Sequence, residues 1–445
     1  MPTHAYQQLI DEGRRPEELG DDLQAHAWPT VNAHLGTTAH SFPELVEQLG
    51  VMRFGHRPRV ADTFCGSGQI PFEAARLGCD VFASDLNPIA CMLTWGAFHI
   101  VGGSVNARKE LSAAQQTLVD CVQQDVDALA IETDGNGWRI KALLYCVEVK
   151  CPETGWSVPL LSTLVLSKSR SVIAELVPNR ATRSYAIRVR VGVSAQELAD
   201  AAKGTVRSDG RGQDPYLLHL LDGVEHRTRI SSLRGDFRTP DGTQGSAVRR
   251  WEKDDFKPRP GDVFQDRLYA IQWSRPKPTG RGDESEFRAV TEDDLRREAV
   301  AEKFVADHLA DWQARGWIPD MRIEPGDKTD EPIRTRGWTY WHHLFCPRQL
   351  LFLGLANKYI QETKSASLAL VFSRLTDWSS KLCRYGTGAA RESIAATFYN
   401  QALGTWRPRL RARCAKAVTS RGRCSWCSGS GAVASEPPAT TSRGN

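Results

Sequence analysis

Asp62, Gly66, Gly68 and Asp85 are the residues of this chain whose types and spacing could do chemistry. They lie in two strings, Val60-Ala61-Asp62-Thr63-Phe64-Cys65-Gly66-Ser67-Gly68 and Val81-Phe82-Ala83-Ser84-Asp85-Leu86-Asn87-Pro88. Two glycines one residue apart let a turn press bare backbone against a ligand, because neither position carries a Cβ. A carboxylate roughly 20 residues beyond such a turn, at the end of the next strand, is placed to accept the hydroxyls of a ribose. Asp62, just ahead of the turn, decides the sign of the ligand: a carboxylate there opposes a diphosphate and suits a cation.

These residues need a particular set of elements to hold them. Val60 and Ala61 read as the end of a buried parallel strand, Ile70 to Leu77 as a helix stopped by Gly78, and Val81 to Ala83 as a second strand delivering Asp85. The third glycine of the dinucleotide fingerprint is replaced by Pro71. The spacing therefore favours S-adenosylmethionine (SAM), whose ammonium and sulfonium are cationic. A nucleotide, and a glycine turn with no ligand, are the competing readings. The expected cofactor-binding set is Asp62, Phe64, Gly66, Gly68, Asp85, Leu86 and Asn87, with Asp85 on the ribose hydroxyls, the two glycines under the methionine end and Asp62 facing the ammonium group. Cys65 is read as a small space-filler.

With Ile70-Pro71-x-Glu73-Ala74 and Ser84-Asp85-Leu86-Asn87-Pro88 added, the loop resembles that of the bacterial adenine-specific DNA methylases that carry a zinc-ribbon insert, several of them associated with phage defence. Segments 261–269, 322–326, 337–345, 347–350 and 398–403 resemble the same family, so the likeness covers most of residues 30–406. It implies an α/β fold with a Rossmann-like SAM-dependent methyltransferase sheet, a β-rich insertion and a helical C-terminal part. It also implies methyl transfer to adenine N6 with SAM as cofactor, DNA as partner and defence-system subunits as further partners. The glycine loop followed by Glu73-Ala74-Ala75 resembles RNA guanine N2 methyltransferases as well. A third reading is a catalytically inactive protein that binds SAM or DNA.

What the chain lacks matters as much. Exocyclic-amine methyltransferases use Asn or Asp followed by Pro-Pro and an aromatic, which accepts hydrogen bonds from the target amine and stacks on the flipped base. Asp214-Pro215-Tyr216 lacks a proline, and Glu436-Pro437-Pro438-Ala439 lacks the aromatic. No catalytic residue is assigned. In the resembled family the motif follows the segment similar to Phe398–Leu403, so the expectation is a truncated or frame-disrupted product that does not methylate DNA alone. No zinc is expected either: Cys151 has Thr154 where a knuckle needs a second cysteine, Cys146 is five positions earlier, and Cys424 with Cys427 stands alone. Trp338, Trp341, His342 and His343 read first as a packing seam, with base stacking helped by Arg334, Arg336 and Arg348 as the alternative.

The 445 residues suffice for two or three domains. The net charge of +4 does not announce nucleic acid, although the first fifty residues are acidic and the end, from Arg407 to Arg423, is basic. No stretch reaches the roughly 18 apolar residues of a membrane span, so a cytoplasmic protein with its 11 cysteines reduced is expected. The segments read as follows: an arm and leading helix over 1–50, loop-like to residue 38 and then capped by Ser41 with Glu44; the SAM-binding core over 51–130; the β-rich insertion over 131–290; a helical region over 291–413; and a disordered tail over 414–445. Strands are expected at 145–150, 160–167, 185–193 and 269–273, around a polar, glycine-rich stretch from Gly204 to Gly245. Helices are expected to begin at Thr291, Arg348 and Ser365.

Overall fold

The computed structural model describes residues 25–208, 214–278, 280, 282–326, 329–387, 392–395, 397 and 411–414. It is a mixed α/β protein that divides into two compact units, one up to Ala113 and one from Ala114. The segment 398–403, the cysteines 424 and 427 and the tail from 415 lie outside the described residues.

The first unit opens with α1 (Trp28–Leu35), where a loop was expected. Pro29 lies in its first turn, where a missing N–H costs nothing, and Gly36 ends it at φ +67°. α2 (Phe42–Phe54) is capped by Ser41, whose side chain accepts from Glu44 N. The Glu44 carboxylate reaches back to His40 N at 2.7 Å rather than to Ser41, so the capping box is only half made. β1 (Arg59–Asp62), α3 (Gln69–Arg76) and β2 (Asp80–Ala83) form a βαβ unit whose strands pair in parallel, Arg59 opposite Asp80 and Asp62 opposite Ala83. α4 (Pro88–Gly96) runs into a π-helical turn, Ala97–Val101, and α5 (Val105–Ala128) carries the chain past the division at Ala113.

The second unit is built on a large mixed sheet. Its strands are β3 (Arg139–Lys150), β4 (Ser157–Leu160), β5 (Val165–Ser167), β6 (Val172–Asn179) and β7 (Ser184–Val191), joined after α6 (Ala195–Ala201) by later strands. The polar, glycine-rich stretch from Gly204 has regular elements of its own. It contains β8 (Val206–Arg207), β9 (Tyr216–Leu221), β10 (Val224–Arg229), α7 (Ile230–Arg234) and the short pair β11 (Phe237–Arg238) and β12 (Gln244–Gly245). β13 (Gln265–Pro276) and β14 (Asp283–Arg288) return to the large sheet, whose order among the described residues is β14-β13-β3-β4-β7-β6-β5. Only β4 and β7 pair in parallel within that order.

β3 is buried on both faces, and this fixes its place at the centre. Ala142, Leu144 and Cys146 face a cluster with Tyr269 and Phe287, while Ile140, Leu143 and Tyr145 face another with Ile271 and Trp273. α8 (Glu292–Ala314) begins at a full capping box: Thr291 accepts from Asp294 N, and Asp294 accepts from Thr291 N at 2.9 Å. α9 (Asp330–Arg336) precedes α10 (Pro347–Thr363), which packs on α8. A Cβ at Gly354 would stand 2.1 Å from the Trp312 ring, so the glycine sets how closely the two helices approach. α11 (Ala366–Trp378) is followed by β15 (Arg384–Thr387), β16 (Glu392–Ala395) and β17 (Arg411–Cys414), the last paired with β3. The region expected to be helical thus ends in strands.

Candidate functional site

At the carboxyl end of β1 the chain makes the glycine turn, and hydrogen bonds from the neighbouring strand hold it. Cys65 N donates to Ser84 O at 3.0 Å, Ser84 N to Asp62 O at 2.9 Å and Gly68 N to Cys65 O at 2.7 Å. Gly66 (φ +52°) and Gly68 (φ +81°) both take the left-handed conformation that favours glycine. Their roles differ, however. A Cβ at Gly66 would meet nothing within 4 Å, so the space above it is open, whereas a Cβ at Gly68 would collide with Thr94 of α4 at 2.6 Å. Gly68 is a glycine because α4 packs there. Thr94, which the sequence did not single out, also donates to the buried Cys65 sulfur at 3.3 Å, in keeping with Cys65 as a space-filler.

Asp85 ties the second strand to the turn. One carboxylate oxygen accepts from Gly66 N at 2.9 Å and the other from Asn87 N at 2.8 Å. These N–H groups, that of Asn87 first, hold its carboxyl below the ordinary aspartate range. Each oxygen has a further lone pair, so the carboxylate can still accept hydroxyl donors. Asp62 takes Phe64 N at 3.1 Å, which points its carboxylate along the turn. Asn87 caps α4 by accepting from Ile89 N at 2.9 Å; its side chain holds the turn. Phe64 is 79% exposed and Leu86 93% exposed, two apolar side chains bared beside the one open glycine.

The second unit gathers the other segments singled out in the sequence. Gly337 passes close against the backbone of Arg249, where a Cβ would lie 1.9 Å from Arg249 O, and Trp251 N donates to Gly337 O at 2.8 Å. This brings residues 261–269 and 337–345 together around a cleft lined by Trp251, Asp262, Phe264, Asp266, Arg336 and Trp338. The Arg249 guanidinium spans Asp262 and Asp255 beside it. His342 and His343 are fully buried with ring centroids 4.4 Å apart. His343 Nδ1 accepts from Thr339 N and Tyr340 N, and its Nε2 donates to Glu252 O at 2.9 Å. His342 Nε2 donates to Asp255 O at 3.2 Å. Burial pushes His342 down to about 4 and His343 to about 3, so both rings are neutral clamps on the 252–255 loop.

Arg348 turns away from any partner surface. It is buried between Glu298 and Glu132, the latter at 3.3 Å, with Tyr145 donating to Glu298. Around the knuckle-like turn, Cys151 and Cys146 are buried in different clusters. Thr154 stands 3.4 Å from His219 Nε2, and Glu153 lies 3.1 Å from His226 Nδ1. Among the described residues the acid, histidine and cysteine group with metal-ligand spacing is Glu252, Asp254 and Asp255, and all three carboxylates pair with Arg259. Comparison with family models, curated proteins and solved structures gives no match for this chain.

Proposed function

We propose that the first unit binds SAM and that the chain serves methyl transfer to an exocyclic amine of DNA. In this reading Asp85 accepts the ribose hydroxyls, the open backbone at Gly66 lies under the methionine end and Asp62 faces the ammonium group. Phe64 and Leu86 flank the adenine, Gly68 lets α4 close on the turn, and Asn87 positions Asp85 by capping α4. One observation carries the reading: the Asp85 carboxylate is bonded to Gly66 N beside the open face of that glycine, at the carboxyl ends of two parallel strands. Ligands of open parallel sheets bind at that end of the strands.

The transfer step itself needs acceptors that orient the target amine, and the sequence holds no Asn or Asp followed by Pro-Pro and an aromatic. We therefore assign the cofactor half of the reaction to these residues and leave the acceptors to residues outside this sequence.

Calorimetry with SAM tests the cofactor half. Gly66→Ala puts a methyl group where no protein atom stands, at a folding cost of about 1 kcal/mol for a left-handed alanine. Loss of SAM binding with the thermal melt otherwise preserved is the expected result, and Asp85→Asn should weaken binding while keeping an acceptor for Gly66 N. Wild-type affinity in both variants would overturn the assignment.

A further inference from the structure

We infer that the outer face of the small β8-β9-β10 sheet is a DNA-backbone-contacting surface, made by Arg207, Arg227 and Arg229 around Tyr216. The inference rests on the proposal that DNA is the partner, and it places the contact. Strand register sets the arrangement: Arg207 and Arg229 are the direct cross-strand neighbours of Tyr216, one on either side. Directly opposed side chains share a face, so the three form one row across the sheet, with about 5 Å between strands. Arg227, two residues before Arg229 and thus on the same face, lays its guanidinium 3.6 Å from the centre of the Tyr216 ring.

The other face of this sheet is the inward one. Leu217, His219 and Thr228 are buried, with Leu217 in the cluster of Trp156 and Tyr185. The three arginines are exposed, while Tyr216 is buried among them. Several exposed arginines in this unit are neutralised locally, Arg180 by Asp222, Arg190 by Glu197 and Arg275 by Glu284. Among the described residues neither Arg207 nor Arg229 forms an ion pair; Arg207 Nε donates to Gly204 O at 3.3 Å. Asp214, the carboxylate at the entry to β9, is taken by Ser231, and Glu225 sits at the far end of β10. A chain of small net charge thus presents Arg207 and Arg229 on one sheet face with no carboxylate partner among the described residues.

Guanidinium groups present planar, bidentate donors that match phosphate, and a ring beneath one of them restricts its rotation before binding. A row of them contacts the backbone irrespective of sequence and sets orientation, leaving base recognition to other elements.

Fluorescence anisotropy of the full chain on a labelled random duplex of about 20 base pairs, between about 50 and 200 mM salt, decides it. Wild type should bind with a negative slope of log K against log salt. Arg207→Gln/Arg229→Gln should make that slope shallower by about 1.8, which is two phosphate contacts. Arg180→Gln/Arg190→Gln, which removes arginines already paired with carboxylates, should leave the slope unchanged. Wild type that fails to bind at the lowest salt overturns this surface together with the DNA reading. Wild type that binds while the Arg207/Arg229 variant keeps its slope overturns the surface alone. Displacement of the duplex by polyglutamate as readily as by unlabelled DNA also overturns it, pointing to an acidic protein partner.

Discussion

β3 and β13 each run for twelve residues side by side, with successive side chains sealed into clusters on both faces. β1 and β2 are four residues each, and their side chains alternate between exposed and half-buried. Parallel strands are ordinarily covered on both faces, yet Phe82, Ile70, Phe64 and Leu86 of the first unit are exposed. What orders this unit is a chain of local hydrogen bonds: Asp62 to Phe64, Asp85 to Gly66 and Asn87, Asn87 to Ile89. The second unit is ordered by burial. The contrast separates two ways of holding a structure together, and the residues proposed to bind SAM sit in the part with the less packing. Polar capping and turn bonds contribute about 1 kcal/mol each, whereas a buried network is costly to disturb. Perturbing the two parts should therefore differ in kind.

The largest effect is expected at Arg348. Its removal leaves Glu298 and Glu132 facing each other in the interior with no cation between them. Breaking one partner of a buried ion pair costs roughly 3–5 kcal/mol, so Arg348→Ala should lower the guanidinium midpoint of the second unit accordingly. Its transition is followed by tryptophan fluorescence, since Trp138, Trp156, Trp251, Trp273, Trp312 and Trp338 all lie there. Adding Glu298→Gln and Glu132→Gln to an Arg348→Met chain should recover most of the loss. A single Arg348→Ala variant with the wild-type midpoint would erase the contrast, because the network would then be no more than a set of surface bonds.

Acid provides the next test. In the fold His342 takes a proton only near about 4 and His343 near about 3, because burial disfavours the imidazolium. In the unfolded chain a histidine protonates near about 6.5. Between these values the unfolded state holds more protons, so stability is full above about pH 6.5 and falls as the pH drops toward 4. The loss at the lower end is roughly 3 kcal/mol for His342 alone. Burial also lowers His219, which adds a contribution of the same sign. Denaturation at a series of pH values reads this directly. A flat profile from about pH 7 to 5 would mean that the two rings are not held neutral.

How much of this was legible in the sequence follows from the same division. The glycine turn, the strand before it, α3 with its Gly78 stop and the carboxylate after β2 are local features, and their residues appear where the spacing placed them. The caps at Ser41 and Thr291 and the start of α10 after Pro347 are local too. The hairpin of β9 and β10 carries a local signal as well: Tyr216 to Leu221 is a nearly continuous apolar run, and Asp222-Gly223, at φ +54° and +80°, is a strong hairpin turn signal. Its polar, glycine-rich flanks hid it. The run 160–167, expected as one strand, is broken between β4 and β5 where Leu161 N bonds to Thr205 Oγ1 at 2.9 Å, 44 residues away. The pairing of β3 with β13, the inward turn of Arg348 and the clamping of His342 and His343 on residues 252–255 depend on distant segments. No local pattern encodes them.

The smallest expected effect compares one helix cap from each unit. Thr291 accepts from Asp294 N at 3.3 Å while Asp294 returns a 2.9 Å bond to Thr291 N, and the Asp294 carboxylate is buried. Ser41 accepts from Glu44 N at 3.4 Å with no returning bond to its own N–H, since Glu44 binds His40 instead. The reciprocal cap, whose partner carboxylate is buried, should be the stronger. Thr291→Ala should cost about 1 kcal/mol or somewhat more, because it also strands part of a buried carboxylate, and Ser41→Ala about 0.5 kcal/mol, the low end for a cap with no returning bond. Amide hydrogen exchange in the first turns of α8 and α2 resolves the two separately, because each helix frays from its own end. Equal effects, or a larger one at Ser41, would show that local bonds count for more in the thinly packed unit than their geometry indicates. The line between an interior held by burial and a site held by its turns would then have to be drawn elsewhere.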